Sequence, residues 1–131
     1  TDLESVAGTL ARRHGVTDAS VTHAIQLVER VLRLPLMDDA RSATRVFREV
    51  PVAGNAASGR AYGKADLLFE RGGAWRVVEF RTDRLDDTDS LREHATQLAG
   101  YSAALTGIVG ASVKPAICMV RRGEVIEVAL S

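Results

Sequence analysis

The sequence lacks the features that mark a disulfide-bonded or a membrane-spanning protein. Its single cysteine, Cys118, excludes a disulfide within the chain and fits the reducing cytoplasm. No apolar run approaches the ~20 residues that a membrane-spanning helix needs. Cys118 itself stands in a short apolar run, where we expect a buried structural thiol and not a nucleophile. These absences predict a cytoplasmic globular protein.

The sequence also has a net charge of zero and very few lysines. Seventeen basic and seventeen acidic residues cancel, whereas a free-standing nucleic-acid-binding domain is usually basic. Only Lys64 and Lys114 are lysines, and the other basic residues are arginines. Arginine suits phosphate contacts, but it also forms ordinary surface salt bridges. The composition therefore excludes a broad lysine-rich surface that captures nucleic acid without help.

The length of 131 residues allows one domain with one core. Hydrophobic residues make up 46% of the chain and charged residues 26%, as in ordinary globular proteins. We expect a helical N-terminal part over residues 1–45 and a core over residues 46–131. Because the chain starts at Thr1, we expect it to be a fragment of a longer protein.

Periodicity and turn residues predict a mixed α/β fold in the order αααβββαββ. The N-terminal part should hold three helices, and Pro35 should end or bend the second. The segment from Ala53 to Gly59 should be a loop. The predicted helices are Thr1–His14, a helix from Thr17 or Asp18 to about Pro35, Met37–Thr44, and a helix from Asp89 or Ser90 to Thr106. The predicted strands are Val46–Val52, Arg60–Glu70, Ala74–Thr82, Ala116–Val120 and Val125–Leu130.

Gly72-Gly73 is a strong signal for a two-residue hairpin turn, because a type I′ turn needs positive φ at both positions. That turn would make Asp66 and Glu79 direct cross-strand partners, with Cβ atoms ~5 Å apart. The same register would place Lys64 opposite Arg81. Two carboxylates so close repel each other, so a shared proton, an arginine or a divalent cation should compensate.

Two interpretations of this hairpin remain open on spacing alone. Hard cations such as Mg²⁺ take oxygen ligands and often use one or two carboxylates, which Asp66 and Glu79 would provide. Alternatively, the two acids and the two bases Lys64 and Arg81 form a structural ladder of salt bridges.

Four short motifs occur in one order, and together they resemble a known family. They are REVPV, GKADLLFE, WRVVEFRTD and QLAGY, which begin at Arg48, Gly63, Trp75 and Gln97. The stretch from about Val46 to Leu130 resembles the RecB-like nuclease domain of the PD-(D/E)xK superfamily. That domain typically forms the C-terminus of bacterial helicase–nucleases of the exonuclease V type. The resemblance implies a restriction-endonuclease-like core, which is a mixed β-sheet flanked by helices.

The resemblance also implies a set of site residues. Asp66 is similar to the first metal-binding aspartate of the family and Glu79 to the acid of the (D/E)-x-K motif, with the carbonyl of Phe80 near the metal. Gln97 and Tyr101 match the Q-x-x-x-Y pair, which lies on one helix face. The metal would be Mg²⁺ or Mn²⁺. Thr82, Asp83 and Glu49 match positions that accompany these motifs.

Arg81 departs from the family, which has lysine at that position. Arginine is bulkier than lysine and always protonated, so the exchange is not conservative at a catalytic centre. In the predicted register, the ammonium group of Lys64 would stand in for the missing lysine. His23 is interpreted as a residue on the surface of a helix.

The resemblance implies a metal-dependent DNA exonuclease-type module, of reduced activity if Arg81 impairs catalysis. Its DNA would be a single strand or a duplex end, and a helicase domain would lie in the same polypeptide or complex. The alternative is a catalytically inactive nuclease-fold module that guides DNA or scaffolds a helicase. A third possibility is an unrelated α/β domain whose charged hairpin is a salt-bridge ladder.

Overall fold

The structure is a computed structural model, and it describes residues 18–56, 59–82 and 88–129. A five-stranded mixed sheet carries helices on both faces. The predicted helix Thr1–His14 lies outside the described residues. The helices are α1 (Asp18–Leu32), α2 (Pro35–Arg41) and α3 (Thr88–Val109), and the strands are β1 (Arg45–Ala56), β2 (Gly59–Arg71), β3 (Ala74–Arg81), β4 (Val113–Met119) and β5 (Glu124–Glu127).

The strands are ordered β1-β2-β3-β4-β5 across the sheet. β1, β2 and β3 form an antiparallel meander, and β4 pairs in parallel with β3. Helix α3 makes the crossover that a parallel pair requires, and β5 returns antiparallel to β4. The predicted fold class, a mixed sheet flanked by helices, is confirmed and is compatible with a restriction-endonuclease-like core.

Each face of the sheet buries its own apolar cluster. Helices α1 and α2 cover one face, where Val28, Val31 and Met37 pack against Leu67, Phe69 and Val78. Helix α3 covers the other face. Its residues Leu98, Tyr101 and Leu105 pack there against strand residues that include Val77, Val113 and Ile117. We call these clusters the α1/α2 core and the α3 core.

The two N-terminal helices follow the predicted pattern with one exception. Pro35 occupies the first turn of α2, where its missing N–H is not needed, so it begins that helix while α1 ends at Leu32. The exception is Ile25, which lies at helical spacing from the buried Val28, although its own side chain is 47% exposed within the described part of the chain. His23 is exposed on α1, as predicted.

The prediction of a loop from Ala53 to Gly59 is wrong for all of its described residues, while residues 57 and 58 lie outside the described ranges. β1 continues to Ala56, and Ala56 pairs with Gly59 at the start of β2. The small residues of this segment do not alternate between apolar and polar side chains, so the sequence pattern does not predict a strand here. Pro51 lies in β1 at the edge of the sheet, as its missing N–H predicts.

Cys118 is fully buried in the α1/α2 core, which confirms the structural interpretation. Burial raises the pKa of its thiol to about 11, so the nucleophilic thiolate is disfavoured at neutral pH. No helix in the described ranges is both long enough and apolar enough to cross a membrane.

Candidate active site

The predicted hairpin turn is confirmed. Gly72 and Gly73 have φ values of 57° and 83°, and the β2–β3 ladder pairs Arg71 with Ala74. Regular pairing then runs as far as Leu67 opposite Val78 and ends there. Asp66 and Glu79 are therefore not ladder partners, and neither are Lys64 and Arg81, so both predicted pairings are wrong.

The side chain of Asp66 replaces the next ladder hydrogen bond. The amide N–H of Phe80 donates to Asp66 Oδ2 at 2.8 Å, so the carboxylate lies against the Glu79–Phe80 peptide. Because the N–H and C=O of one strand residue point toward the same neighbouring strand, the Phe80 carbonyl also faces this gap. The end of the ladder thus leaves an opening between β2 and β3 that contains a carboxylate and a backbone carbonyl.

The β1–β2 ladder is interrupted beside Asp66 as well. Arg48 pairs with Leu67 and Val50 with Ala65, but Glu49 and Asp66 between them are not paired. Glu49 has φ of 50°, a left-handed conformation found at no other non-glycine residue in the described part of the chain. Such backbone is sparsely populated and often occurs at functional sites.

The interruption also changes which core each strand contributes to. Val46 packs in the α1/α2 core but Val50 in the α3 core, although residues two apart normally share a face. Leu67 and Ala65 differ in the same way. Glu49 and Asp66 therefore lie at the point where both strands of the hairpin change faces.

Glu79 lies on the α3 face of the sheet. Its neighbours Val77 and Phe80 pack in the α3 and α1/α2 cores respectively, and alternation places Glu79 with Val77. Its Oε2 atom is buried. The pKa of Tyr101 is raised above its usual value, mainly by burial and to a smaller extent by the negative charge of Glu79. The hydrogen bond from Gln97 lowers it, but by less than burial raises it. The charge of Glu79 therefore contributes to the electrostatic environment of the Tyr101 hydroxyl.

Helix α3 brings the predicted Q-x-x-x-Y pair to this place. Gln97 Nε2 donates to the Tyr101 hydroxyl at 3.0 Å. The hydroxyl of Tyr101 lies directly over Gly63 of β2, where any Cβ would overlap it. The helix is anchored farther along by Ser102, whose buried hydroxyl donates to the carbonyl of Val113. The spacing of Gln97 and Tyr101 could be predicted from the sequence, whereas the role of Gly63 could not.

The two basic residues of the predicted site are in different surroundings. Arg81 is half-buried, its Nε atom is inaccessible to solvent, and alternation places it on the same face as Glu79. Lys64 is exposed and pairs with Pro51 of β1. Arg81, and not Lys64, is thus the cation that shares a face of the sheet with Glu79.

The donor set around the gap suits a hard divalent cation. Asp66, Glu79 and the carbonyl of Phe80 offer oxygen ligands from two neighbouring strands, and Mg²⁺ usually takes one or two carboxylates and completes its shell with water. Within the described ranges, no three His, Cys, Asp or Glu side chains form a potential metal-ligand cluster. Two carboxylates and one carbonyl would leave water or substrate to complete the shell of any ion bound here.

Comparisons with known proteins show no family for this chain. No protein-family model and no curated protein matches it. The crystal structure of SSO0001 is similar over 97% of this chain and 60% of its own, with 21% identity and a TM-score of 0.46. The crystal structure of protein VC1899 from Vibrio cholerae is similar over 76% of this chain and 32% of its own, with 10% identity and a TM-score of 0.35. The chain thus spans less than two thirds of either structure.

Proposed function

We propose that this chain is a metal-dependent DNA nuclease module of the exonuclease type, which hydrolyses phosphodiester bonds. The observation that supports it most is the hydrogen bond that the Asp66 carboxylate accepts from the Phe80 amide, next to Glu79 and between β2 and β3. The resemblance to the RecB-like nuclease domain assigns the metal-binding role to the same residues.

Asp66, Glu79 and the Phe80 carbonyl would hold Mg²⁺ or Mn²⁺. When bound, such an ion supplies an acidified water and stabilises negative charge on a phosphoryl oxygen. Arg81 provides positive charge for the phosphate in the transition state, because its guanidinium lies on the same face as Glu79. Gln97 and Tyr101 fix the side of the site that α3 forms. Hydrolysis breaks one P–O bond and leaves a phosphate on one product and a hydroxyl on the other.

The test is cleavage of an end-labelled single-stranded oligodeoxynucleotide with Mg²⁺ or Mn²⁺. Asp66→Asn and Glu79→Gln remove a metal-binding charge with little change in shape, so we expect either variant to lose cleavage. Glu29→Gln removes an exposed charge from α1 and should retain it. Calorimetric titration with Mn²⁺ gives a second readout, since both site variants should weaken binding. Cleavage that is unchanged in Asp66→Asn would refute the proposal.

A second candidate is a catalytically inactive module of the same fold that guides DNA or scaffolds a helicase. Arg81 favours it, because a half-buried arginine fills the position of the motif lysine. Arg81→Lys separates the two candidates. A gain of Mg²⁺-dependent cleavage from an inactive wild type would identify a metal site that lost only its lysine. An active wild type would exclude this candidate.

The nuclease proposal also implies partners and a location. A chain of zero net charge attracts the phosphate backbone of DNA only weakly. A helicase domain in the same polypeptide or complex would therefore deliver a single strand or a duplex end to it. A lone, buried cysteine is compatible with the cytoplasm.

A further inference from the structure

Arg30 and Arg121 differ in their bonding partners from three arginines that form ion pairs in the described part of the chain. Arg41, Arg71 and Arg76 form ion pairs with Asp38, Asp39 and Glu127 respectively. Arg30 Nη1 instead donates to the backbone carbonyl of Arg121 at 3.0 Å, and Arg121 Nε donates to the carbonyl of Thr82. Among the described residues, no carboxylate forms an ion pair with Arg30 or Arg121. Backbone carbonyls carry no net charge, so no negative charge among the described residues offsets either guanidinium group.

The backbone carbonyls that the two arginines contact, those of Thr82 and Arg121, follow the carboxyl ends of β3 and β4. Arg121 belongs to the turn after β4, and the Val120 amide donates to the Arg81 carbonyl at 2.9 Å. Thr82, which receives the Arg121 bond, is three residues beyond Glu79, or about 10 Å along an extended strand. In sheets with parallel strands, ligands commonly bind beyond the carboxyl ends. Both arginines are therefore held to backbone that directly follows the carboxyl ends of β3 and β4.

A glycine makes room for this arrangement. Gly123, in the same turn, has φ of 62°, and a Cβ on it would lie 2.6 Å from Arg30 Cδ. The stem of Arg30 thus packs on the glycine, and its Nη1 reaches the neighbouring carbonyl. The position of the guanidinium group is set by packing and by a hydrogen bond, although the residue is exposed.

We propose that Arg30 and Arg121 bind the backbone phosphates of the nucleic-acid strand that enters or leaves the candidate active site. A guanidinium group has five N–H donors. Each of the two arginines uses one donor in its hydrogen bond to a backbone carbonyl, so the remaining donors can bind phosphate oxygens. The inference rests on the proposed function for the presence of nucleic acid. It gives a chain of zero net charge two local positive charges for contact with a strand that is delivered to it.

The test is binding of a fluorescein-labelled single-stranded oligodeoxynucleotide by anisotropy in EDTA, over a series of salt concentrations. We expect Arg121→Ala to weaken binding and to make the slope of log K against log[salt] shallower by about 0.7, the value for one phosphate contact on a single strand. Arg30→Ala should do the same. Lys114→Ala, the matched control, removes an exposed charge near the amino end of β4 and should leave the slope unchanged.

Arg121 is the primary variant because its side chain is exposed in a turn, and thermal melting verifies that each variant is folded. An unchanged salt slope in a folded Arg121→Ala would overturn the proposal. Free inorganic phosphate is the other ligand with the same chemistry, and thermal melting in phosphate tests for it. If phosphate raises the melting temperature of the wild type but not of Arg121→Ala, and the salt slopes of the two proteins are equal, the site binds free phosphate. The proposal is then wrong. Because EDTA removes metal, failure of Asp66 and Glu79 as catalysts would not alter these results.

Discussion

At the scale of single residues, the side chain of Tyr101 on α3 lies directly over Gly63 of β2. The Tyr101 hydroxyl occupies the volume that any Cβ at position 63 would fill. Tyr101 also receives the hydrogen bond from Gln97 and senses the charge of Glu79. A glycine in β2 thus sets where a side chain of α3 meets the carboxylates.

We expect Gly63→Ala to lower the free energy of unfolding by about 1–3 kcal/mol, because the added methyl group overpacks a buried contact. Tyr101→Phe removes the overlapping oxygen, so the same substitution should cost less in that background. Urea denaturation of the four proteins measures both values. Gly107→Ala is the control, since open space surrounds that glycine on α3 and alanine favours a helix. If Gly63→Ala lowers the free energy of unfolding equally in the wild type and in Tyr101→Phe, the Tyr101 hydroxyl is not the group that requires glycine at position 63.

The raised pKa of Tyr101 predicts how stability depends on alkaline pH. The folded state holds the phenolic proton more tightly than the unfolded state, so this contribution is complete below the ordinary tyrosine pKa of 10.0 and is lost as pH rises through the folded value. Unfolding free energy should therefore fall more steeply above pH 10.0 in the wild type than in Tyr101→Phe.

Phenolate absorbance tests the same effect directly, with Tyr62→Phe removing the other tyrosine. Glu79→Gln should lower the pKa of Tyr101, because it removes one of the raising effects. No change in that variant would place the Glu79 carboxylate too far away to act on Tyr101.

At the scale of elements, the β2–β3 turn depends on backbone conformation alone. Open space surrounds both Gly72 and Gly73, so only their positive φ values restrict substitution. Gly73→Ala should cost about 1–2 kcal/mol, the penalty of a left-handed residue that has a Cβ. Gly72→Asn should cost less, because asparagine tolerates φ near the 57° of Gly72. Urea midpoints of both variants check this order, and the reverse order would contradict it.

Local signals explain what could be predicted about these elements. Gly72-Gly73 specified both the turn and the register of the five pairs nearest to it. Helical spacing predicts one buried stripe on α3 from Leu91, Ala95, Leu98, Ser102 and Leu105. The last three are buried, and Leu91 and Ala95 are partly buried. Both signals act between neighbours in the chain, so no tertiary contact was needed to interpret them.

Long-range contacts explain what could not be predicted. The ladder ends before Asp66 because that side chain takes the Phe80 amide, which no spacing rule anticipates. The left-handed Glu49 follows from the same interruption in β1. The contacts of Gly63 with Tyr101 and of Gly123 with Arg30 each join elements far apart in sequence. The sequence therefore identified the residue types of the candidate site but not their geometry.

At the scale of the whole molecule, the sheet separates two cores that share no helix. Val28 on α1 and Ile117 on β4 are fully buried in different cores. Val28→Ala should cost about 2 kcal/mol and Ile117→Val about 1 kcal/mol in unfolding free energy. Because the sites have no common cluster, the double variant should equal their sum within about 0.5 kcal/mol. A larger coupling, measured by urea denaturation, would mean that the sheet transmits strain between its faces.

The change of faces at Glu49 and Asp66 divides the first hairpin into two cooperative units. Amides of the half beyond Val50 and Ala65 depend on α3 for their protection from solvent exchange, whereas those near Val46 and Phe69 depend on α1 and α2. A fluctuation that lifts α3 would thus expose the tip of the hairpin to deuterium and leave its base protected. The boundary between the fast and the slow amides would fall at the two acidic residues themselves.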